Sequence, residues 1–245
     1  MHHCNLNCAG CAHFAPLADG KWFLSPLTLR MGLMTLREVG HAQVGLLRLF
    51  GGEPLLHPNL LELVDVAQNE CTAKVQILSN GAAWRTALLP IATQLCDRNV
   101  EVEFTHYPGV SDYKLAVGLL RGVGLNVEFK RREKQMRHHA LSTTPRVVRE
   151  GEHCLMRDYG GSVQMVVEDG KTWLWSCPVP AYSHIARAVF DDIPTPGEDC
   201  RVLVDHELVD IDLEAFGRPT SFCAHCTVGA ENMRWRTSSK SRDEW

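Results

Sequence analysis

From about residue 25 to 130 the apolar positions switch repeatedly between a spacing near 3.6 and a spacing of two, the contrast that separates amphipathic helices from strands. Ser25-Pro26 places an N-cap before a proline at the first helical position and predicts a helix through about His41. A strand, Leu46–Phe50, follows. Leu60, Leu63, Val64 and Ala67 share one helical face, Val75 and Ile77 alternate in a strand, and Leu88, Ile91, Ala92 and Leu95 return to the helical period. Val100, Val102 and Phe104 alternate again, Ala116, Leu119, Leu120 and Val123 form another stripe, and Val127 and Phe129 mark a further strand. Four strands and four helices before residue 131 are the grammar of βα units on a parallel sheet.

Strands buried on both faces of such a sheet read as nearly continuous apolar runs, yet these carry Arg48, Gln76, Glu101, Glu103, Glu128 and Lys130 between their apolar positions. One face is therefore wet or paired. It lines the lumen of a ligand-holding partial barrel, or it is the solvated side of an open sheet.

After residue 135 the pattern changes. Residues 136–153, rich in His, Arg, Ser and Thr, read as a connection between domains. Val163, Met165 and Val167 alternate into Glu168-Asp169-Gly170, and Trp173-Leu174-Trp175 leads to Cys177, which predicts a hairpin with an Asp-Gly turn. A helix over about Ala181 to Phe190 and a late C-x-x-C complete a small α+β unit. The tail from Thr237 to Trp245 is polar, but its final tryptophan is expected to dock.

Composition narrows the function classes. In 245 residues, Lys+Arg 25 against Asp+Glu 29 leaves a net charge of −4, so no basic field argues for nucleic acid or an anionic membrane. No apolar run approaches the ~20 residues of a membrane span, and Met1-His2-His3-Cys4-Asn5 does not resemble a signal peptide. A cytoplasmic protein acting on a small molecule, or on a peptide, is expected. Ten cysteines in such a setting read first as metal ligands where they cluster and as small core residues where they do not. Cys71 and Cys96 are of the second kind.

Cys4-Asn5-Leu6-Asn7-Cys8-Ala9-Gly10-Cys11 is a C-x-x-x-C-x-x-C loop, short enough to wrap three thiolates around one inorganic centre. A cubane held by three cysteines leaves one iron open to an external ligand, and open positions are where metals do chemistry. A structural zinc site is the competing reading, but zinc takes four ligands in close pairs.

On these residues the chain resembles the radical S-adenosylmethionine superfamily. Gly51-Gly52-Glu53-Pro54, directly after the Leu46–Phe50 strand, resembles the G-G-E-P segment of that family, and Ser79-Asn80-Gly81 its polar strand end. The resemblance implies that Gly51, Gly52, Glu53 and Pro54 bind the methionyl amino group, with Glu53 as its acceptor. It places Ser79 and Asn80 beside the cofactor and Thr105 and His106 near the ribose. It further implies that Cys4, Cys8 and Cys11 hold a 4Fe-4S cluster whose electron cleaves S-adenosylmethionine to a 5′-deoxyadenosyl radical, with flavodoxin or ferredoxin as reductant. The family's usual aromatic before the third cysteine is Gly10 here, and Phe14 or His13 is expected to fill that space. With only Met1 to His3 before Cys4, the first barrel strand is expected to be truncated and its neighbour exposed as a destabilising edge.

Cys154, Cys177, Cys223 and Cys226, separated by 22, 45 and 2 residues, resemble the twitch domain, a shortened SPASM domain with an auxiliary 4Fe-4S cluster. Structural zinc is the alternative in the same four sulfurs, and Cys200 is a substitute ligand should one fail. The resemblance thus implies an α/β fold: a partial (β/α)6 TIM-type barrel over residues 1–135, then a twitch-like α+β domain over 136–245. The expected activity is hydrogen abstraction from a sugar or aminocyclitol-like metabolite, leading to oxidation or rearrangement. The alternatives are modification of a ribosomal peptide and a non-catalytic metal-binding or electron-transfer module.

Overall fold

The computed structural model describes residues 1–38, 44–71, 73–129, 135–137, 141–148, 154, 164–168, 171–204, 218–226 and 232–245. Its contacts divide the chain into two compact units: Met1–Leu6 with Gly20–Met34 and Ala42–Lys134, and Asn7–Asp19 with Thr35–His41 and Gln135–Trp245.

The first unit follows the predicted alternation. Helix α1 (Pro26–Glu38) opens where the Ser25 hydroxyl accepts from Thr28 N at 3.0 Å. It is followed by β1 (Leu46–Leu49), α2 (Leu60–Glu70), β2 (Lys74–Ser79), α3 (Ala92–Asp97), β3 (Glu101–Phe104), α4 (Tyr113–Gly122) and β4 (Asn126–Phe129). The four strands form one parallel sheet in the order β1-β2-β3-β4, with α2 packed on β2 and α4 on β4. The apolar stripe expected of one helix at 88–95 is instead divided among a π turn, Trp84–Leu88, a 3-10 turn, Leu89–Ile91, and α3. Pro90 has no N–H to donate and so breaks the run, yet Leu88, Ala92 and Leu95 are buried as expected.

Register explains the polar residues in the strands. Leu49, Ile77, Val102 and Val127 are aligned across all four strands and buried. Arg48, Gln76 and Glu101 form the adjacent row, on the opposite face. Arg48 Nε donates to Gln76 Oε1 at 2.8 Å, and Gln76 Nε2 donates to Glu101 Oε1 at 2.9 Å. The polar face is therefore paired laterally. Of the six barrel strands expected, four belong to this sheet among the described residues.

Strand β1 is the terminal strand of the sheet among the described residues, and Leu46 is 43% exposed. Residues 1–3 bond the turn that follows it: Gly52 N donates to Met1 O and Glu53 N to His3 O, each at 2.9 Å.

In the second unit β6 (Gln164–Glu168), β7 (Lys171–Trp175) and β8 (Arg201–Val204) form an antiparallel sheet, while β5 (Gln135–Arg137) pairs with β9 (Asn232–Arg234). The predicted hairpin is β6–β7, its Asp169-Gly170 turn lying outside the described residues. Strand β8 does not alternate polar with apolar residues and was not expected; it pairs with β7, and Arg201 lies over the Trp173 ring at 4.0 Å. Helix α5 (Pro178–Arg187) begins three residues earlier than expected, because Pro178 occupies its first turn after Cys177 as N-cap. The expected connection is in part ordered structure: Ser142 N donates to His225 O and Arg146 N to Ala224 O.

Trp245 docks as its sequence position suggested, 1% exposed in a core with Phe14, Trp175, Val179 and Phe222. Beside it Glu244, also 1% exposed, accepts from Arg236 Nη1 at 2.5 Å, Ser239 N at 3.0 Å, Ser239 Oγ at 3.1 Å and the Ser238 hydroxyl. Burial by itself raises its pKa, but the bonds from Ser238, Ser239 and Arg236 outweigh it and bring it down from 4.5 to about 2. A depressed folded pKa contributes stability that is present above 4.5 and lost as pH falls through about 2. Urea unfolding across that interval is expected to be less pH-dependent in Glu244→Gln than in the wild type; equal slopes would contradict it.

Among the described residues no helix is long and apolar enough to cross a membrane.

Candidate functional site

The G-G-E-P segment follows β1 and the Ser79-Asn80 pair ends β2, so parallel pairing brings the two carboxyl ends side by side. Glu53 is the centre of what they build. It is 1% exposed. Its Oε1 accepts from Leu55 N at 3.0 Å and Ser79 Oγ at 2.7 Å, and its Oε2 accepts from Asn80 N at 2.8 Å. Burial raises the Glu53 pKa and the three bonds oppose that rise. A carboxylate has about four lone-pair sites; the protein occupies three, and one acceptor position is left.

Asn80 carries the network to the cysteine loop. Its Nδ2 donates to Asn5 Oδ1 at 2.7 Å and approaches Cys4 Sγ at 3.8 Å, while Leu6 N donates to the same sulfur at 3.4 Å. Its carbonyl accepts from Tyr113 OH at 2.8 Å, and that phenol oxygen accepts in turn from Tyr107 N at 3.1 Å. Thr105 N donates to Ser79 O at 2.8 Å, and His106 stands edge-on to Tyr113 at 5.1 Å. The first unit therefore brings Cys4, Glu53, Ser79, Asn80 and Thr105 into one bonded set, with His106 beside it.

Two expectations take a different form. The glycines leave room first for the chain itself: a Cβ on Gly52 would stand 2.0 Å from His3 O, and one on Gly51, at φ +132°, would stand 2.6 Å from Met1 O. Phe14 is buried among the residues around Trp245, with no surface left to fill the place of an aromatic at position 10. Gly10 itself has φ +64°, a conformation an aromatic residue rarely adopts.

In the second unit Cys8 Sγ accepts from Trp235 Nε1 at 3.1 Å, and Cys11 O accepts from Trp245 Nε1 at 3.1 Å. The later cysteines also gather. Burial pushes the Cys177 thiol well above its usual range; a backbone bond at Val179 opposes this, and the nearby thiols of Cys226, Cys154 and Cys223 raise it further. Cys200 adjoins that group through Thr220: its thiol donates to Thr220 Oγ1 at 3.4 Å, and Thr220 N donates to Cys223 Sγ at 3.4 Å. Cys71 and Cys96 donate to Ala67 O and Gly124 O at 2.9 and 3.2 Å, the structural role expected of them.

Among the described residues no three His, Cys, Asp or Glu side chains close around a single-ion position. Each ligand of a polynuclear cluster meets its own iron, so its sulfurs need not converge on one point. The donor set fits such a group: Cys4 and Cys8 already receive N–H donors of the kind that cluster thiolates accept. Near Cys177 and Cys226 the indole N–H of Trp175 is buried with no hydrogen-bond partner among the described residues.

Tyr113 and Trp235 were not singled out from sequence, and Asn5 only as a turn-forming member of the cysteine loop. An aromatic residue isolated in a polar tail is the signal for Trp235, the same one that marked Trp245. Lys130, among the polar positions expected in the strands, lies outside the described residues.

Residues 1–107, which contain the cysteine loop, Gly51–Pro54 and Ser79-Asn80, match the family described as 4Fe-4S single cluster domain. The match spans less than half of the chain and is a likeness of this part to 4Fe-4S domains, in keeping with the cysteine loop that it contains. A solved structure of native anSMEcpe with bound AdoMet is similar to the chain at 14% identity and a TM-score of 0.42. The similarity covers 52% of this chain and 40% of that one, less than half of its length. No curated protein matches the chain.

Proposed function

We propose that the chain is a radical S-adenosylmethionine enzyme that abstracts hydrogen from a hydroxylated small metabolite of the sugar or aminocyclitol type. The observation that carries the reading is the Glu53 network. Three motifs far apart in sequence, Cys4-Asn5, Gly51–Pro54 and Ser79-Asn80, are joined by direct bonds of 2.7 to 2.8 Å, an arrangement that no single structural role of any one motif requires.

In this reading Cys4, Cys8 and Cys11 hold a 4Fe-4S cluster, and cluster and S-adenosylmethionine together supply one-electron cleavage of a sulfonium C–S bond. Glu53 offers its remaining acceptor position to the cofactor's ammonium group, while Ser79 and Asn80 N fix the carboxylate's orientation. Asn80 ties the cysteine loop to that carboxylate through Asn5. Thr105 and His106, beside Ser79 and Tyr113, would contact the nucleoside end. Gly51, Gly52 and Pro54 shape the turn that presents Glu53.

Cys154, Cys177, Cys223 and Cys226 hold an auxiliary 4Fe-4S cluster in a twitch-like domain, closed by four protein ligands and suited to electron transfer. Oxidation of an alcohol after hydrogen abstraction releases a further electron and the hydroxyl proton, and the group held by these four cysteines would supply the electron acceptor. The paired polar row of Arg48, Gln76 and Glu101 is chemistry that suits a hydroxyl-rich substrate.

Anaerobic reconstitution, an iron and zinc count, and an assay for 5′-deoxyadenosine after dithionite and S-adenosylmethionine test the reading. About eight irons for two four-iron clusters, with nucleoside formed, support it. Zinc in place of iron and no nucleoside reject it in favour of a metal-binding module.

A further inference from the structure

The segment from Trp235 to Trp245 does more than cover a core. Ser238 N donates to Asn7 O at 2.8 Å, Ala9 N donates to Arg236 O at 3.1 Å, and Cys8 and Thr237 form an isolated antiparallel bridge. The indole N–H of Trp235 reaches Cys8 Sγ at 3.1 Å and that of Trp245 reaches Cys11 O at 3.1 Å. Every second residue of the loop from Asn7 to Cys11 is thereby bonded to this segment.

The segment is itself bonded along its length. Glu244 gathers Arg236, Ser238 and Ser239 around a buried carboxylate. Arg242 donates to Asp192 Oδ1 at 2.7 Å and to Leu141 O at 2.6 Å. Burying a carboxylate is costly unless it is fully bonded; here that bonding ties together the stretch that grips the loop. An N–H aimed at a ligating sulfur favours the more negatively charged, reduced state of a cluster, and such bonds are among the factors that set its potential.

We propose that Trp235–Trp245 is a clamp on the iron-sulfur loop, and that Trp235 is a positioning residue whose indole N–H on Cys8 Sγ raises the reduction potential of the cluster held there. The potential-setting role rests on the reading of Cys8 as a cluster ligand; the clamp does not.

Two variants of the full chain separate these parts. Trp235→Phe keeps a ring and removes the donor. In reconstituted protein it is expected to bind iron like the wild type but to show a ratio of reduced to oxidised first cluster about tenfold lower at a fixed applied potential, ~59 mV for a one-electron couple. Full iron with an unchanged potential overturns the role of Trp235, and so does a wild type that binds no iron, which also removes the ligand reading. Glu244→Gln leaves the indole in place and loosens the clamp. Amide exchange at residues 7–11, followed by mass spectrometry in iron-free protein, is expected to quicken about tenfold relative to the rest of the second unit. Unchanged exchange there overturns the clamp, whatever the iron content.

Discussion

Cys8→Ala, reconstituted without oxygen, is expected to lose about half of the bound iron and all formation of 5′-deoxyadenosine, whereas Cys223→Ala loses a similar share of iron and retains the nucleoside. The asymmetry follows from what each sulfur holds. A three-cysteine cluster has no spare protein ligand, so removing one thiolate leaves two in an eight-residue loop, and the remaining sulfurs cannot retain four irons against exchange. On the proposed reading, loss of Cys223 removes one of four ligands in the other unit, where the Cys200 thiol is engaged in donating to Thr220 Oγ1. The measurement is an iron count paired with nucleoside analysis on the same samples. Nucleoside formation by Cys8→Ala would remove the cysteine loop from the mechanism.

Glu53→Ala is expected to lower the unfolding free energy by about 3 to 5 kcal/mol, the cost of leaving three buried neutral donors without their acceptor. The substitution strands the N–H groups of Leu55 and Asn80 and the hydroxyl of Ser79, all bonded to Glu53 in a site it occupies at 1% exposure. Unsatisfied buried donors cost about 1 to 3 kcal/mol each, less than additively because the cavity admits water. Ser79→Ala, which removes one donor and leaves the carboxylate two bonds, is the milder control at about 1 kcal/mol. Glu53→Gln retains volume but turns an amide NH2 toward groups that are themselves donors. It is also expected to lose a pH slope. Because burial raises the Glu53 pKa, the folded state binds this proton more tightly than the unfolded one. Wild-type stability therefore falls as pH rises through the interval above 4.5, and Glu53→Gln lacks that contribution. Urea midpoints from pH 4.5 upward for the wild type and the three variants decide the matter; a Glu53→Ala midpoint equal to wild type would leave the network without energetic weight.

The elements of the first unit were largely legible because hydrophobic periodicity is a local property. Val75, Ile77, Val102 and Val127 alternate with polar residues wherever one face is buried, and all four are at most 1% exposed. The boundaries that differed are also local in origin, Pro90 dividing one helix and Pro178 starting another early. What failed was pairing between segments without a periodic signal. Strands β5 and β9 have three residues each, and β8, Arg201-Val202-Leu203-Val204, does not alternate; their partners lie far along the chain.

Sequence alone determined the chemical inventory: three thiols in one short loop, four more at wider spacing, a Gly-Gly-Glu-Pro turn after a strand and a Ser-Asn pair after the next. Only the tertiary structure decided how that inventory is connected. Asn80 meets Asn5 across 75 positions and Trp235 meets Cys8 across 227, and nothing near either residue foretells the other. A buried polar group must find a partner somewhere, but the partner is chosen by where the packed strands and the docked tail bring donors and acceptors within about 3 Å, a distance that exists only once the chain has folded.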